Sequence, residues 1–198
     1  MIEKPVLLDL PMPIITPRLK IVPWHPDHTE AFHAMREETL PDLRPWMVWA
    51  DKPSSRDEVH ELLARGYAKF VLRETLNMLA FTHDGELVAS TGLHEFNWRV
   101  PMAMIGYWCR TSARGKGYVT EAANALVRYG FDVIGLRKVS IGMDSENTAS
   151  EAVAKRLGMV KESETMGSVA TLHPDTMRKR LEYVCFDTSR LPELDVKW

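Results

Sequence analysis

The sequence has little of several features that mark large classes of protein. Its two cysteines, Cys109 and Cys185, are too few for a disulfide framework. No apolar run approaches the roughly 20 residues that a membrane-spanning helix needs, and the first residues are too few and too acidic for a secretory signal. The net charge of −2 gives no electrostatic basis for binding nucleic acid or a membrane surface. We therefore expect a cytoplasmic protein whose partners are neither nucleic acids nor membranes.

What is present is typical of one well-packed domain. Hydrophobic residues make up 45% and charged residues 26% of a chain of 198 residues, which is long enough to bury a substantial core without dividing in two. We expect a single domain over residues 1–198, with a proline-rich lead over residues 1–16 and a tail over residues 188–198. The tail is apolar at positions such as Val196 and Trp198, and we expect it to pack on a neighbouring copy.

Hydrophobic periodicity in the first half predicts helices early and then a hairpin. A strand over Arg18–Trp24 precedes a helix near Asp27–Glu38, and a loop rich in proline and tryptophan follows over residues 41–49. Ser55–Glu58 reads as a capping box and predicts the start of a second helix. Asp84-Gly85 lies between two apolar runs and predicts a hairpin turn.

The second half predicts strand–helix–strand–helix–strand. A strand over Ala103–Arg110 leads into a glycine turn, and an apolar stripe over Val119–Phe131 predicts the clearest helix of the chain. A strand over Lys138–Met143 and a helix over Asn147–Leu157 follow, and two more strands are expected near the C-terminus. This order of elements predicts an α/β fold on a mixed sheet.

The most informative stretch is the glycine turn between the strand and the clearest helix. Such a turn directs several backbone N–H groups at one point, where the positive end of the helix dipole adds to them. With the charges of Arg114 and Lys116 nearby, we interpret the turn as a pyrophosphate cradle; an ordinary helix-entry loop is the alternative. Gly115-Lys116-Gly117-Tyr118 does not fit the Walker loop, and the third glycine of the Rossmann fingerprint is missing.

The turn does fit R-x-x-G-x-[G/A], the coenzyme A pyrophosphate motif of the GNAT acetyltransferases, at Arg114 and Gly117, although Val119 departs from its last position. Further groups match in order and spacing, and together they make the chain resemble the RimJ/RimL-type N-acetyltransferases of that superfamily. These groups are Leu43–Trp49, Gly92–Asn97, Ile105–Trp108, Asn147–Ser150 and Lys155–Met159.

The resemblance implies an α/β (α+β) GNAT fold and an acetyl-CoA-dependent reaction. The sheet would be mixed and mostly antiparallel, with about seven strands, a splayed parallel pair and about four flanking helices. The tryptophan loop and the His-Glu-x-Asn group favour the RimL type, which acetylates the N-terminal amine of a ribosomal protein by direct transfer. Family members also acetylate antibiotics, peptides and polyamines, and many are dimers, so a small-molecule acceptor stays open and a homodimer is expected.

The same resemblance assigns residues to the donor. Backbone N–H groups at Trp108, Cys109 and Arg110 would polarise the thioester carbonyl. The pyrophosphate would lie on Arg114, Gly115, Lys116, Gly117, Tyr118 and Val119. Asn147 would anchor the pantetheine arm, and Ser150 would protonate the leaving thiolate, because Ala154 stands where many members carry a tyrosine. The alternatives are that Asn147 is only an N-cap and that Ser150 is only a first-turn hydroxyl.

The general base and the acceptor site are assigned by position. Glu95 is the leading base candidate, His94 would lie on the opposite face of a regular strand, and Asp144 is third. The resemblance assigns Trp46, Trp49, His94 and Asn97 to the acceptor site. Met104 stands where the family often carries glutamate.

Two readings of the chain stay open. The first is an acetyl-CoA-dependent acyltransferase, and the second is a catalytically silent module that only binds coenzyme A; Val119, Met104 and the missing tyrosine keep the second open. His25 and His28 lie three residues apart, but no cysteine or acidic residue completes a ligand set at useful spacing, so no metal site is expected.

Overall fold

The computed structural model describes residues 1–167 and 177–198, and these form one mixed sheet with helices on both faces. The strands are β1 (Ile14–Ile15), β2 (Leu19–Pro23), β3 (Leu76–Thr82), β4 (Leu87–Asn97), β5 (Met102–Cys109), β6 (Lys138–Asp144), β7 (Val160–Met166) and β8 (Lys179–Cys185). The helices of the described residues are α1 (Thr29–Leu43), α2 (Arg56–Val71), α3 (Tyr118–Tyr129) and α4 (Thr148–Arg156). None of these helices is long and apolar enough to span a membrane.

The sheet has eight strands in the order β1-β2-β3-β4-β5-β6-β8-β7, where about seven were expected; the added one is the two-residue β1. Its described pairings are antiparallel except that of β5 with β6. The parallel ladder ends at Met104↔Ser140, although β5 continues to Cys109 and β6 to Asp144. The predicted splay of a parallel pair is therefore confirmed, and it opens the middle of the sheet.

Alternation along β5 sends its side chains to two different cores. Ile105 packs with Ala122 and Leu126 of α3 on one face, whereas Trp108 packs with Phe32 of α1 on the other. Helix α4 joins the first core through Val153, Ala154 and Leu157. The gap between β5 and β6 consequently connects the face covered by α3 and α4 with the face covered by α1 and α2.

Helix α1 is longer than predicted, because it passes through Pro41 and ends at Leu43. A proline in a helix interior lacks the N–H donor and costs about 3 kcal/mol. Here Leu40 and Leu43 are buried against Ala50, and Asp42 accepts a hydrogen bond from Thr111. These tertiary contacts keep the last turn helical where local propensity predicted a loop.

The other local signals agree with the structure. Ser55 and Glu58 form the reciprocal capping box of α2, and Gly85 takes the left-handed conformation (φ 92°) in the β3–β4 turn. Helix α3 buries the predicted stripe, and one π-helical turn over Gly130–Ile134 extends it to Gly135. The capping box, the hairpin and α3 are therefore confirmed.

The N-terminal lead and the C-terminal tail pack on each other within one chain. Ile15 and Lys197 exchange backbone hydrogen bonds of 2.7 and 2.9 Å, and Trp198 packs edge-on against Tyr129 with ring centroids 5.8 Å apart. Leu191 is buried in the main core. The tail therefore packs on its own chain, while Trp198 stays 43% exposed, and the expectation that the tail packs on a neighbouring copy stays a prediction.

Candidate active site

A cavity of about 1260 Å³ lies where β5 and β6 separate. Of the residues assigned from the sequence, the following line it: Trp46, Trp108, Cys109, Arg114, Gly115, Gly117, Tyr118, Val119, Asp144, Asn147 and Ser150. Six others do not line it: Trp49, His94, Glu95, Asn97, Arg110 and Lys116. The donor assignments thus cluster around one space, whereas the acceptor assignments mostly lie beside it.

The glycine turn has the geometry of an anion cradle. Gly115 (φ 75°) and Gly117 (φ 80°) are both left-handed, a conformation that other residues adopt only at a cost. Among the described residues, no group accepts a hydrogen bond from the backbone N–H groups between Gly115 and Thr120, and no side chain caps α3. These free donors at the positive end of a helix dipole fit a pyrophosphate.

An ion pair between the buried Glu121 carboxylate and the partly exposed Arg18 guanidinium supports the cradle. Glu121 accepts hydrogen bonds from the Thr16 hydroxyl (2.7 Å) and the Arg18 N–H (3.0 Å), and it is paired with the Arg18 guanidinium. The same guanidinium donates to the Lys116 carbonyl (2.7 Å). Arg18 therefore ties the turn to the first strands of the sheet, a role that its sequence position did not indicate.

A second set of ion pairs ties the turn to α1. Arg114 lies 3.0 Å from Asp42, and Arg110 lies 2.6 Å from Glu38. Hydrogen bonds from Ser112 and Arg110 lower the pKa of Glu38 to about 2. The last turn of α1 thus fixes the position of the cradle, and the Arg110 side chain serves that contact instead of lining the cavity.

The register of β5 decides which backbone N–H groups face the gap. The Arg110 N–H donates to the Val88 carbonyl of β4 (2.9 Å). In an antiparallel pair the N–H groups alternate between the two edges of a strand. The backbone N–H of Trp108 therefore also points at β4, whereas the backbone N–H groups of Tyr107 and Cys109 point at the gap. The expected polarising donor from the Trp108–Arg110 segment is therefore narrowed to the N–H of Cys109.

Ser150 forms part of a small hydrogen-bonded group at the mouth of the gap. Its Oγ lies 3.0 Å from the Tyr107 hydroxyl, and its N–H donates to Asn147 Oδ1 (3.1 Å). Burial raises the pKa of Tyr107 to about 12, although the bond to Ser150 opposes this. Asn147 is indeed the N-cap of α4, but its Nδ2 has no acceptor among the described residues. The sequence-based assignments did not include Tyr107. The available signal was its position two residues before Cys109, which places both side chains on the same face of β5.

The surroundings of the Cys109 thiol do not favour its action as a nucleophile. Burial raises its pKa, with Arg114 and Lys116 opposing, and its Sγ lies 3.6 Å from the Val88 carbonyl. A nucleophilic cysteine requires a lowered pKa and a neighbouring base. Neither condition is met by the described surroundings of Cys109, which behaves as a small buried side chain.

A β-bulge changes the expected geometry of His94 and Glu95. The β4–β5 register shifts between His94 and Asn97, and Glu95 has φ 53°. The two side chains consequently lie side by side, with His94 Nδ1 3.7 Å from Glu95 Oε1. The expectation that they occupy opposite faces is wrong, because the extra residue breaks the two-residue period. Both lie on the Met104 face of β5.

Each of the two side chains has a distinct position beside the cavity. His94 Nε2 is 2.9 Å from the point where a Cβ on Gly106 would lie, and Gly106 lines the cavity. Burial lowers the pKa of His94, Glu95 opposes this, and Arg180 lowers it further. Glu95 borders a separate small cavity of about 190 Å³ with its side chain 69% exposed. The imidazole of His94 therefore lies closer to the main cavity than the carboxylate of Glu95 does.

The remaining acceptor-side assignments have structural roles. Asn97 Oδ1 accepts from the N–H groups of Arg99 and Val100 and so closes the β4–β5 turn. Asp144 is almost fully buried and accepts from Arg178 (3.0 Å) and from the Glu146 N–H (2.8 Å). Asp144 also lines the main cavity, but each of its two carboxylate oxygens already accepts one of these hydrogen bonds.

The tryptophan loop forms one wall beside the gap. Trp46 lines the cavity, whereas Trp49 packs on Trp108 with ring centroids 5.9 Å apart and lies under the Arg36 guanidinium. Trp49 therefore supports Trp108 from outside the cavity, and Trp46 is the tryptophan of this loop that lines it.

Comparison with known proteins agrees with this architecture. The acetyltransferase (GNAT) domain family matches residues 18–160. The Bacillus subtilis protein named ribosomal N-acetyltransferase YdaF is 30% identical over 120 residues, which are 61% of this chain and 66% of that protein. The matched segments span less than two thirds of the length of the curated relatives.

Solved structures share the fold at low sequence identity. RimL, a ribosomal L7/L12 alpha-N-protein acetyltransferase in complex with coenzyme A, has a TM-score of 0.80 at 20% identity, covering 91% of this chain and 98% of that one. The microcin C7 self-immunity acetyltransferase MccE, in complex with acetyl-CoA and AMP, has a TM-score of 0.80 at 16% identity, covering 86% and 93%. With the family match extending over most of the sequence, the chain belongs to the GNAT acetyltransferase family.

Proposed function

We propose that the protein transfers the acetyl group of acetyl-CoA directly to a primary amine, the α-amine of a protein N-terminus. The observation that carries this proposal is that one continuous cavity joins the N–H cradle to the gap between β5 and β6. The similarity to YdaF supports the choice of acceptor.

In the proposed complex, the donor extends along the cavity. The free N–H groups from Gly115 to Thr120 hold the pyrophosphate, and Asn147 Nδ2 donates to the pantetheine arm. The cradle fits this group without rearrangement, since a Cβ on Gly115 would meet nothing within 4 Å. Val119 keeps its N–H, and its side chain packs towards the core, so this departure from the family motif is compatible with binding.

The chemical step begins when the neutral amine attacks the thioester carbonyl. The developing oxyanion accepts a hydrogen bond from the Cys109 N–H. The C–S bond then breaks, and the thiolate accepts a hydrogen bond from Ser150 Oγ. Its proton passes from the Tyr107 hydroxyl through Ser150 Oγ, and solvent then returns a proton to Tyr107. Direct attack is favoured over an acetyl-cysteine intermediate, because the Cys109 thiol has a raised pKa and faces a carbonyl.

The proton from the amine goes to His94, either directly or through water, and Glu95 positions the imidazole. This assignment reverses the sequence-based preference for Glu95 as the base. It is supported by the lowered pKa of His94, which leaves the ring neutral near pH 7, and by its position behind Gly106.

An acceptor panel tests the proposed activity. Release of free coenzyme A from acetyl-CoA is measured with peptides that start with Ser or Ala, with polyamines and with an aminoglycoside. Turnover of peptides is the expected result. Preferred turnover of a small amine would replace the proposed acceptor, and binding of acetyl-CoA without turnover would indicate a silent module.

Two pairs of variants test the roles at the leaving group and the base. Ser150→Ala is expected to lose about 10²-fold in kcat and Tyr107→Phe less, whereas Tyr183→Phe, whose hydroxyl binds Glu151 outside the cavity, is the matched control. The acid limb of kcat/KM should move to lower pH in Glu95→Gln, since that variant removes the charge that raises the pKa of His94. An unaltered acid limb in His94→Gln would exclude the imidazole as the base.

A further inference from the structure

Arg180 lies at the point where the parallel strands begin to separate. Its guanidinium covers Gly142 of β6, at a place that any side chain on Gly142 would occupy. Its Nη2 is 3.3 Å from Sδ of Met104, the last β5 residue in the parallel ladder. Arg180 also lines both the main cavity and the small one beside Glu95. The guanidinium therefore borders the gap on the face opposite α3.

The electrostatic setting of Arg180 differs from that of Arg18 and Arg114, which also line the cavity. Arg18 and Arg114, at the donor end, are each paired with a carboxylate. Within the described residues, no carboxylate lies within 4.0 Å of the Arg180 guanidinium, and its recorded polar contact is the thioether of Met104. A half-buried positive charge next to the reaction gap is thus left to act on whatever enters it.

A guanidinium in this position discriminates by charge. It disfavours polycationic acceptors and favours the neutral form of a nearby amine. Its planar donors match a carboxylate in the two-pronged geometry that arginine provides. Its neighbours Met104 and Gly142 supply no carboxylate, and both belong to strands that are fixed in the sheet. Glu95 and Glu182 border the small cavity together with Arg180, but their carboxylates lie more than 4.0 Å from the guanidinium.

We propose that Arg180 selects acceptors carrying a carboxylate close to the reacting amine, namely protein N-termini with an acidic side chain in the first few positions. The assignment rests on the proposed amine acetylation and adds the class of acceptor. Met104 contributes to this selection, because a carboxylate at its position would lie next to the Arg180 guanidinium and neutralise its charge.

Peptide pairs that differ in one charge test the proposal. Peptides beginning Ser-Asp, Ser-Asn and Ser-Lys are compared by kcat/KM and by calorimetric binding to the protein loaded with coenzyme A. The wild type should prefer Ser-Asp over Ser-Asn by about tenfold, with Ser-Lys lowest. Arg180→Gln and Met104→Glu should each remove the preference, whereas Met104→Gln, which is the neutral match of Met104→Glu, should retain it.

The outcomes separate this inference from the proposed activity. Equal turnover of Ser-Asp and Ser-Asn by the wild type would overturn the selection by Arg180 and leave the acetylation intact, and so would a preference that survives in folded Arg180→Gln. Preferential binding of Ser-Asp without turnover of any amine would overturn the activity and retain the selection. Turnover of free glutamate in preference to every peptide would overturn the assignment to a protein N-terminus.

Discussion

The ion pair behind the cradle makes an asymmetric prediction about stability. Glu121 is buried (8% exposed side chain), whereas Arg18 is 47% exposed. In Arg18→Met, the carboxylate stays buried and keeps only the Thr16 hydroxyl and the N–H of residue 18. In Glu121→Gln, the stranded guanidinium reaches water and still donates to the Lys116 carbonyl. The first variant should therefore destabilise the protein more than the second.

The magnitudes follow from the contacts. Removing one partner of a fully buried ion pair costs about 3–5 kcal/mol. Because the Arg18 side of this pair is partly exposed to water, we expect Arg18→Met to cost about 2–3 kcal/mol. Glu121→Gln retains a carbonyl acceptor and should cost about 1 kcal/mol. For a chain of 198 residues, each kcal/mol shifts Tm by roughly 2–4 °C.

Urea unfolding of both single variants and the double variant measures these costs. The double variant should be close to Glu121→Gln alone, because neutralising the buried carboxylate removes the penalty of losing its cation. Equal costs for the two single variants, or simple additivity in the double variant, would refute the reasoning.

Three further predictions concern the cradle, the α1 contact and the tail. Gly117→Ala should weaken acetyl-CoA binding measured by calorimetry, because φ 80° strains a side chain within the cradle; Gly85→Ala, equally left-handed in a hairpin, should leave the affinity unchanged, and equal losses would contradict the cradle. Glu38→Gln should lower Tm at pH 7, and the difference in Tm from wild type should disappear as the pH falls from about 4.5 to about 2. The reason is that the lowered pKa of Glu38 stabilises the folded state fully above the ordinary pKa, and this stabilisation is lost as the carboxylate is protonated. A difference in Tm that persists at pH 2 would show that the ionised carboxylate is not its cause. Deleting residues 195–198 removes the hydrogen bonds to Ile15 and the packing of Trp198 on Tyr129. The deletion should lower the free energy of unfolding in urea by about 2–3 kcal/mol and leave the oligomeric state in sedimentation unchanged. Conversion of a larger species to monomer would show that the tail also forms an interface.

The signals that succeeded in the sequence were local ones. The capping box of α2, the Asp84-Gly85 turn and the stripe of α3 each depend on residues within one or two helical turns or one hairpin. The failures came where distant contacts overrode a local rule. Helix α1 continues through Pro41 because Leu40 and Leu43 have partners elsewhere in the chain, and the bulge at Glu95 broke the alternation that separated it from His94.

In the candidate site, too, local features could be predicted from the sequence and long-range contacts could not. The cradle could be predicted because its donors come from consecutive residues whose geometry two glycines and a helix N-terminus fix. The pairing of Tyr107 with Ser150 and the position of Arg180 beside Met104 could not, since 43 and 76 positions separate the members of these pairs.

The sequence by itself therefore determined the anion cradle, because short-range backbone geometry creates it between β5 and α3. Only the tertiary structure decided what borders the acceptor end: a bulge brings His94 beside Glu95, and the antiparallel pairing of β8 with β6 carries Arg180 over Gly142. The physical reason is that side chains on separate strands meet only when the sheet closes, and their register depends on the packing of the whole domain.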